Sequence, residues 1–151
     1  MSNRIERRRG APARASAKGQ GRERAPVERA LAKGDIARAA TLAEAALDAG
    51  RSDPLFLNLA AWRREEMRDF AGALELLRRA LALAPGDVLI AGSIGAVLRK
   101  DGRHDEALDV LDRVVAAEPR HAAAWLERGY TLDALKREEE ADASYRQALA
   151  G

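Results

Sequence analysis

Four alanines, Ala39, Ala73, Ala107 and Ala141, stand 34 residues apart along this chain. A small residue recurring at a fixed period of this length marks one supersecondary unit used repeatedly, each copy burying its apolar face against the next. The clearest copy runs from Pro85 to Pro119. Ala91, Gly95 and Leu98 come first, then Gly102, then Ala107, Leu111 and Val114. Apolar and small positions three or four apart on either side of a glycine define two helices joined by a turn.

The composition agrees with an all-helical protein. Alanine, leucine, arginine and glutamate dominate, strand formers are scarce, and turn signals recur about every dozen residues. Apolar residues make up 47% of the chain, but many are alanine, so the core must be thin and rest on close helix contact. The six aromatics, Phe56, Trp62, Phe70, Trp125, Tyr130 and Tyr145, all fall within the repeats.

The formal net charge of +2 hides a division. Residues 1–24 hold eight basic side chains, from Arg4 to Arg24, against Glu6 and Glu23, which leaves 18 basic and 22 acidic groups for the rest. The first segment, with Ile5 its single large apolar side chain, is predicted to be a disordered basic tail over residues 1–25. It has no interleaved aromatic to stack on bases, so nucleic acid is not expected as a partner.

No apolar run reaches the length of a membrane helix and no hydrophobic segment follows the arginine-rich start, so the expectation is a cytoplasmic protein without membrane contact. The Ala, Arg and Leu content fits a GC-rich bacterial source. With no cysteine, disulfides and thiolate metal sites are excluded.

Along the chain, a short helix is predicted from Pro26 to Gly34, and Asp35 caps a second to about Ala49, with Ile36, Ala39, Leu42, Ala43, Ala46 and Leu47 on its buried side. Asp53-Pro54 starts the next pair and Asp69 caps its second helix, which Pro85 stops. Asp87, Gly102 and His104–Ala117 repeat the plan, and Trp125, Gly129 and Leu132 followed by Ala141, Tyr145 and Ala148 complete it.

At these positions the chain resembles the tetratricopeptide repeat family. Trp125, Gly129, Leu132, Ala141, Tyr145 and Ala148 fall on the family's aromatic, small and alanine positions, and Gly95, Leu98, Ala107, Leu111, Val114 and Pro119 match from the small residue to the closing proline. The resemblance covers residues 26–150 and implies an all-α, right-handed superhelical solenoid of antiparallel hairpins, about 3.5 units long: a truncated first unit over 26–52, then 53–86, 87–120 and 121–150. In the unit from Pro54, a gapless register puts Arg64 where the family has an aromatic. A one-residue shift, with an extra residue between Trp62 and Phe70, aligns Asn58, Leu59 and Ala60 with the family's Asn-Leu-small trio, and the shift is the favoured reading.

A catalytic inventory is missing. His104 and His121 have no second ligand or base one helical turn away, Glu138, Glu139 and Glu140 sit where acids favour a helix N-terminus, and Gly92-Ser93-Ile94-Gly95 lacks the Lys-Ser/Thr of a phosphate loop. No enzyme activity, metal or cofactor is expected.

The resemblance implies a concave groove lined by the first helices and open to a peptide or protein partner. The implied groove positions are Asn58, Trp62 or its neighbour Arg64, and Glu65 in one unit; Ser93, Ala96, Arg99 and Lys100 in the next; and Glu127, Tyr130 and Asp133 in the last. Asn58 and Tyr130 are the strongest individual candidates, an amide for peptide backbone and a rigid amphipathic ring. Arg99 and Lys100, flanked by acids, point to an acidic group on the ligand. A chaperone-tail clamp is not expected, because Leu89, Ser93, Ala123 and Glu127 occupy the places where family members carry asparagines and basic residues. Two further readings are that the uncapped last helix mediates self-association, and that the chain is the amino-terminal accessory region of a larger sulfotransferase-like or oxygenase-like enzyme.

Overall fold

The computed structural model describes residues 24–150, and residues 1–23 of the predicted 1–25 tail lie outside them. Helix α1 covers residues 24–32. It is followed by α2 (Ile36–Asp48), α3 (Pro54–Glu66), α4 (Phe70–Leu83), α5 (Val88–Lys100), α6 (His104–Ala117), α7 (Ala122–Ala134) and α8 (Glu138–Ala150). No strand occurs among the described residues. From α2 onward each helix packs on the next in chain order, and α5 also touches α7. This is a solenoid of helix hairpins.

The starts of α2 to α5 are set by side-chain acceptors that answer unpaired backbone donors. Asp35 and Asp69 each accept from the N–H three residues on, at 3.0 Å, and Asp53 and Asp87 accept from Leu55 and Leu89 at 2.9 and 3.0 Å. The turn within each hairpin closes in the same way every time. The N–H groups of Asp35, Asp69, Arg103 and Arg137 bond back to the carbonyls of Ala30, Arg64, Leu98 and Leu132 at 2.8–2.9 Å. The residue before each of them is left-handed: Gly34 (φ 76°), Arg68 (φ 61°), Gly102 (φ 80°) and Lys136 (φ 61°).

These turns recur every 34 residues without interruption, so the favoured one-residue shift in the Pro54 unit is incorrect. The reason is geometric. An extra residue between Trp62 and Phe70 would displace the left-handed position from Arg68, and Ala61, not Ala60, is the small residue in register with Gly95 and Gly129.

Two further expectations are corrected at the amino-terminal end. Helix α1 is already formed at Arg24, two residues before Pro26, and the Arg24 guanidinium grips both carboxylate oxygens of Asp53 at 2.8 and 2.7 Å. Arg24 therefore belongs to the first hairpin rather than to the tail. Ile36, expected on the buried side of α2, is 42% exposed, because the first residue of a helix projects beyond the hairpin contact that buries Ala39, Ala40, Ala43 and Ala46.

The alanine column proves to be the packing axis. Ala39, Ala73, Ala107 and Ala141 are each 0% exposed. In the three later hairpins the first helix also carries a small residue, Ala61, Gly95 or Gly129, so the two helices approach closely. A Cβ on Gly95 would lie 2.7 Å from Leu111 Cδ2, and one on Gly129 would lie 2.3 Å from Tyr145 Cε1. Larger side chains, Phe56, Leu57, Leu74, Leu77, Leu98, Leu111 and Leu132, complete the buried layer along the array.

Candidate functional site: the face of the first helices

Helices α3, α5 and α7 are the first helices of three consecutive hairpins, and their shared face carries two adjoining cavities. One, of about 400 Å³, is lined by Asn58, Leu89, Gly92, Ser93, Ala96, His121, Ala123, Ala124 and Glu127. The other, of about 260 Å³, is bounded by Asn58, Trp62, Glu65 and Ser93 together with Leu31 and Ile36. Because Asn58 and Ser93 line both, the two form one strip. The choice left open between Trp62 and Arg64 falls to Trp62. Arg64 faces another hollow beside Glu44 and Arg79, and pairs with Asp69 at 3.4 Å.

The floor of the strip offers specific chemistry. Leu89 is 65% exposed, a large apolar side chain left in water on this face. Ser93 donates its hydroxyl hydrogen to the Leu89 carbonyl at 3.0 Å, which leaves its oxygen lone pairs free to accept. His121 caps α7: its Nδ1 accepts from the Ala124 N–H at 3.2 Å, so the neutral ring carries its proton on Nε2. That Nε2 is buried with no hydrogen-bond partner among the described residues, and a Cβ on Gly92 would lie 3.4 Å from it. Gly92 thus leaves the space beside a donor that is not satisfied within the chain.

The predicted charged and aromatic residues come together in a second line along the same face. Arg99 Nε lies 2.6 Å from Glu127 Oε2, and Lys100 Nζ lies 2.5 Å from Glu65 Oε1, so both cations reach acids of neighbouring repeats. The Arg99 guanidinium also lies 5.2 Å over the Tyr130 ring. Tyr130 meets Tyr145 edge to face at 5.8 Å, and the Tyr145 hydroxyl donates to the Asp133 carboxylate. Burial, then the hydrogen bond to Asp133, pushes the Tyr145 phenol up to about 12. The basic pair is thus matched within the protein. An acidic ligand would have to displace Glu65 or Glu127.

Of the residues expected in the groove, Asn58, Trp62, Glu65, Ser93, Ala96 and Glu127 line the cavities, Arg99, Lys100, Tyr130 and Asp133 form the network beside them, and Arg64 lies elsewhere. Sequence reasoning placed Leu89 on the groove only to exclude a chaperone-tail clamp, and missed Gly92 and His121. Leu89 lies one helical turn before Ser93 on the α5 face, but its exposure as an apolar contact is a feature of the fold. His121 could not be found from spacing, since its unpartnered nitrogen is visible only when α5 stands beside α7. Among the described residues no group of three or more His, Cys, Asp or Glu is placed to hold a metal ion, and no helix is long and apolar enough to cross a membrane.

A scaffold of stacked helix hairpins with a furrow along its first helices is the architecture of a helical-repeat binding protein. Tetratricopeptide repeat models match residues 27–88, 65–125 and 122–150, and the chain belongs to the tetratricopeptide repeat family. Among solved structures it is similar to TTC0263 of Thermus thermophilus, a thermophilic TPR protein (28% identity, TM-score 0.71, 85% of this chain and 73% of that one). It is also similar to YrrB, described as a TPR protein with an unusual peptide-binding site (25% identity, TM-score 0.68, 82% and 64%). MamA from strain RS-1 is a third (26% identity, TM-score 0.67, 85% and 72%). No curated protein matches the chain.

Proposed function

We propose that this protein is a non-catalytic adaptor that holds an extended segment of a protein partner along the face of α3, α5 and α7. The observation that carries the proposal is the unsatisfied chemistry of one continuous strip: exposed Leu89 between the Asn58 amide on one side and the His121 Nε2–H on the other. An extended peptide presents alternating side chains and backbone carbonyls, which an apolar contact flanked by an amide and an N–H donor can read. YrrB, with its peptide-binding site, supports this class of ligand. No lysine or arginine lines the 400 Å³ cavity, which argues against recognition of a free C-terminal carboxylate there.

The test is affinity capture with mass spectrometry from the source organism, comparing the wild-type chain with Asn58→Ala/Tyr130→Ala and with Leu89→Glu. These side chains are partly or largely exposed, so the variants should retain their helical circular dichroism. Loss of the same captured proteins from both variants is the expected result. Undiminished capture of every partner by both would remove the groove from the account.

A further inference from the structure

Leu57, Ala91 and Trp125 occupy one repeat position, 34 residues apart. In the last unit Trp125 fills its place: the indole Nε1–H donates to the Pro119 carbonyl at 2.8 Å, and the Arg128 guanidinium lies 5.8 Å from the ring centre. In the middle unit the same position is a methyl group. Where Ala91 stands, the junction of α4, α5 and α6 contains a cavity of about 310 Å³ lined by Leu81, Pro85, Val88, Ala91, Val110 and Val114. Most of these residues are buried only in part, so the cavity communicates with solvent.

The next repeat is an internal template for what this space accepts. Pro85, 34 residues before Pro119, stands where Trp125 finds its carbonyl acceptor, and the wall is apolar, as an indole requires. A volume of 310 Å³ sits at the lower end of the range for ligand pockets, about 300–1,000 Å³. The cavity wall also carries charge. Asp87 is occupied as the cap of α5, accepting from Leu89 and Ile90, whereas Arg113 has no ion pair or hydrogen bond with any described residue. An unpaired guanidinium beside an apolar hole favours an aromatic group with an acidic neighbour.

We propose that the Ala91 cavity receives a tryptophan side chain of a partner protein, carried beside an acidic residue that pairs with Arg113. This site is separate from the strip on the first helices, since none of Asn58, Ser93 or Glu127 lines it. A partner engaging both would be held at two points, with a gain in affinity from linkage.

The experiment uses the full chain, nitrogen-15 labelled, titrated with acetyl-Glu-Trp-Glu-amide, acetyl-Gly-Trp-Gly-amide and N-acetyltryptophanamide. Saturable amide shifts at Ala91, Val110 and Val114 are expected with the acidic peptide. Arg113→Ala should weaken that peptide about two- to five-fold, the range of an exposed ion pair, and leave the glycine peptide unchanged. Ala91→Trp, which copies the next repeat, should abolish binding while melting no lower than wild type. Should it not fold, Ala91→Leu, which copies Leu57, serves the same purpose. Tyr130→Ala should leave the titration unaltered, which separates this site from the groove. The proposal is overturned by shifts confined to Ser93 and Glu127, by unchanged binding in the filled variants, or by N-acetyltryptophanamide binding as tightly as the acidic peptide.

Discussion

Arg99 and Glu127 lie 28 residues apart in the chain and 2.6 Å apart in space, each side chain 23% exposed, so that one ion pair ties the middle repeat to the last. Partial burial reduces screening by water and salt, while the planar guanidinium keeps a second contact over Tyr130. A double-mutant cycle on Arg99→Ala and Glu127→Ala should give a coupling of about 0.5–1 kcal/mol in urea unfolding, smaller at high salt. A coupling of zero at low salt would show that the pair does not join the repeats.

Two glycines on neighbouring first helices should respond in opposite directions to the same change. Replacing a helical glycine by alanine gains about 1 kcal/mol of helix propensity. At Gly129 the new Cβ would meet the Tyr145 ring at 2.3 Å, and moving that ring breaks its contacts with Tyr130 and Asp133. Overpacking of this kind costs about 1–3 kcal/mol, so Gly129→Ala should lower the melting temperature. At Gly92 the nearest atom is His121 Nε2 at 3.4 Å, an ordinary contact, so Gly92→Ala should raise it. Thermal unfolding of both variants checks the contrast.

The left-handed turn residue differs among repeats, and that difference is measurable. A non-glycine residue there costs roughly 1–2 kcal/mol, and glycine returns roughly 0.5–1 kcal/mol of that as lost chain entropy. Lys136→Gly, which copies Gly34 and Gly102, should therefore stabilise by about 0.5 kcal/mol in chemical denaturation. Arg68→Gly should gain less, because Arg68 also sits 5.4 Å from the centre of the Phe70 ring.

Tyr145 makes stability depend on alkaline pH. Its folded-state pKa is raised above the ordinary 10.0 to about 12, first by burial and then by Asp133, so the folded state favours the neutral phenol. The associated stability is fully present below pH 10 and is lost as pH rises from there towards 12. Tyr145→Phe should flatten the stability profile over that window, and tyrosinate absorbance of Tyr130→Phe should titrate late. An ordinary titration in the folded protein would contradict the assignment.

The sequence by itself determined the period, the helix starts from α2 to α6 and the buried column. Those features are local or strictly repeated: an aspartate caps each helix from α2 to α5, and an alanine stands at the same helix contact in every unit. The face that carries Asn58, Ser93, Glu127 and Tyr130 was implied by the resemblance to the tetratricopeptide repeat family, and helical spacing then says which residues of each first helix share a surface. What the sequence could not decide was anything that depends on the distance between units. The register of the Pro54 unit became certain only when Arg68 was seen to hold the same backbone angle as its counterparts. The pairing of Lys100 with Glu65, the unanswered His121 nitrogen and the hollow beside Ala91 arise where side chains of different repeats face each other across a gap. Spacing along a chain specifies which surface a residue occupies, whereas stacking specifies what that surface meets.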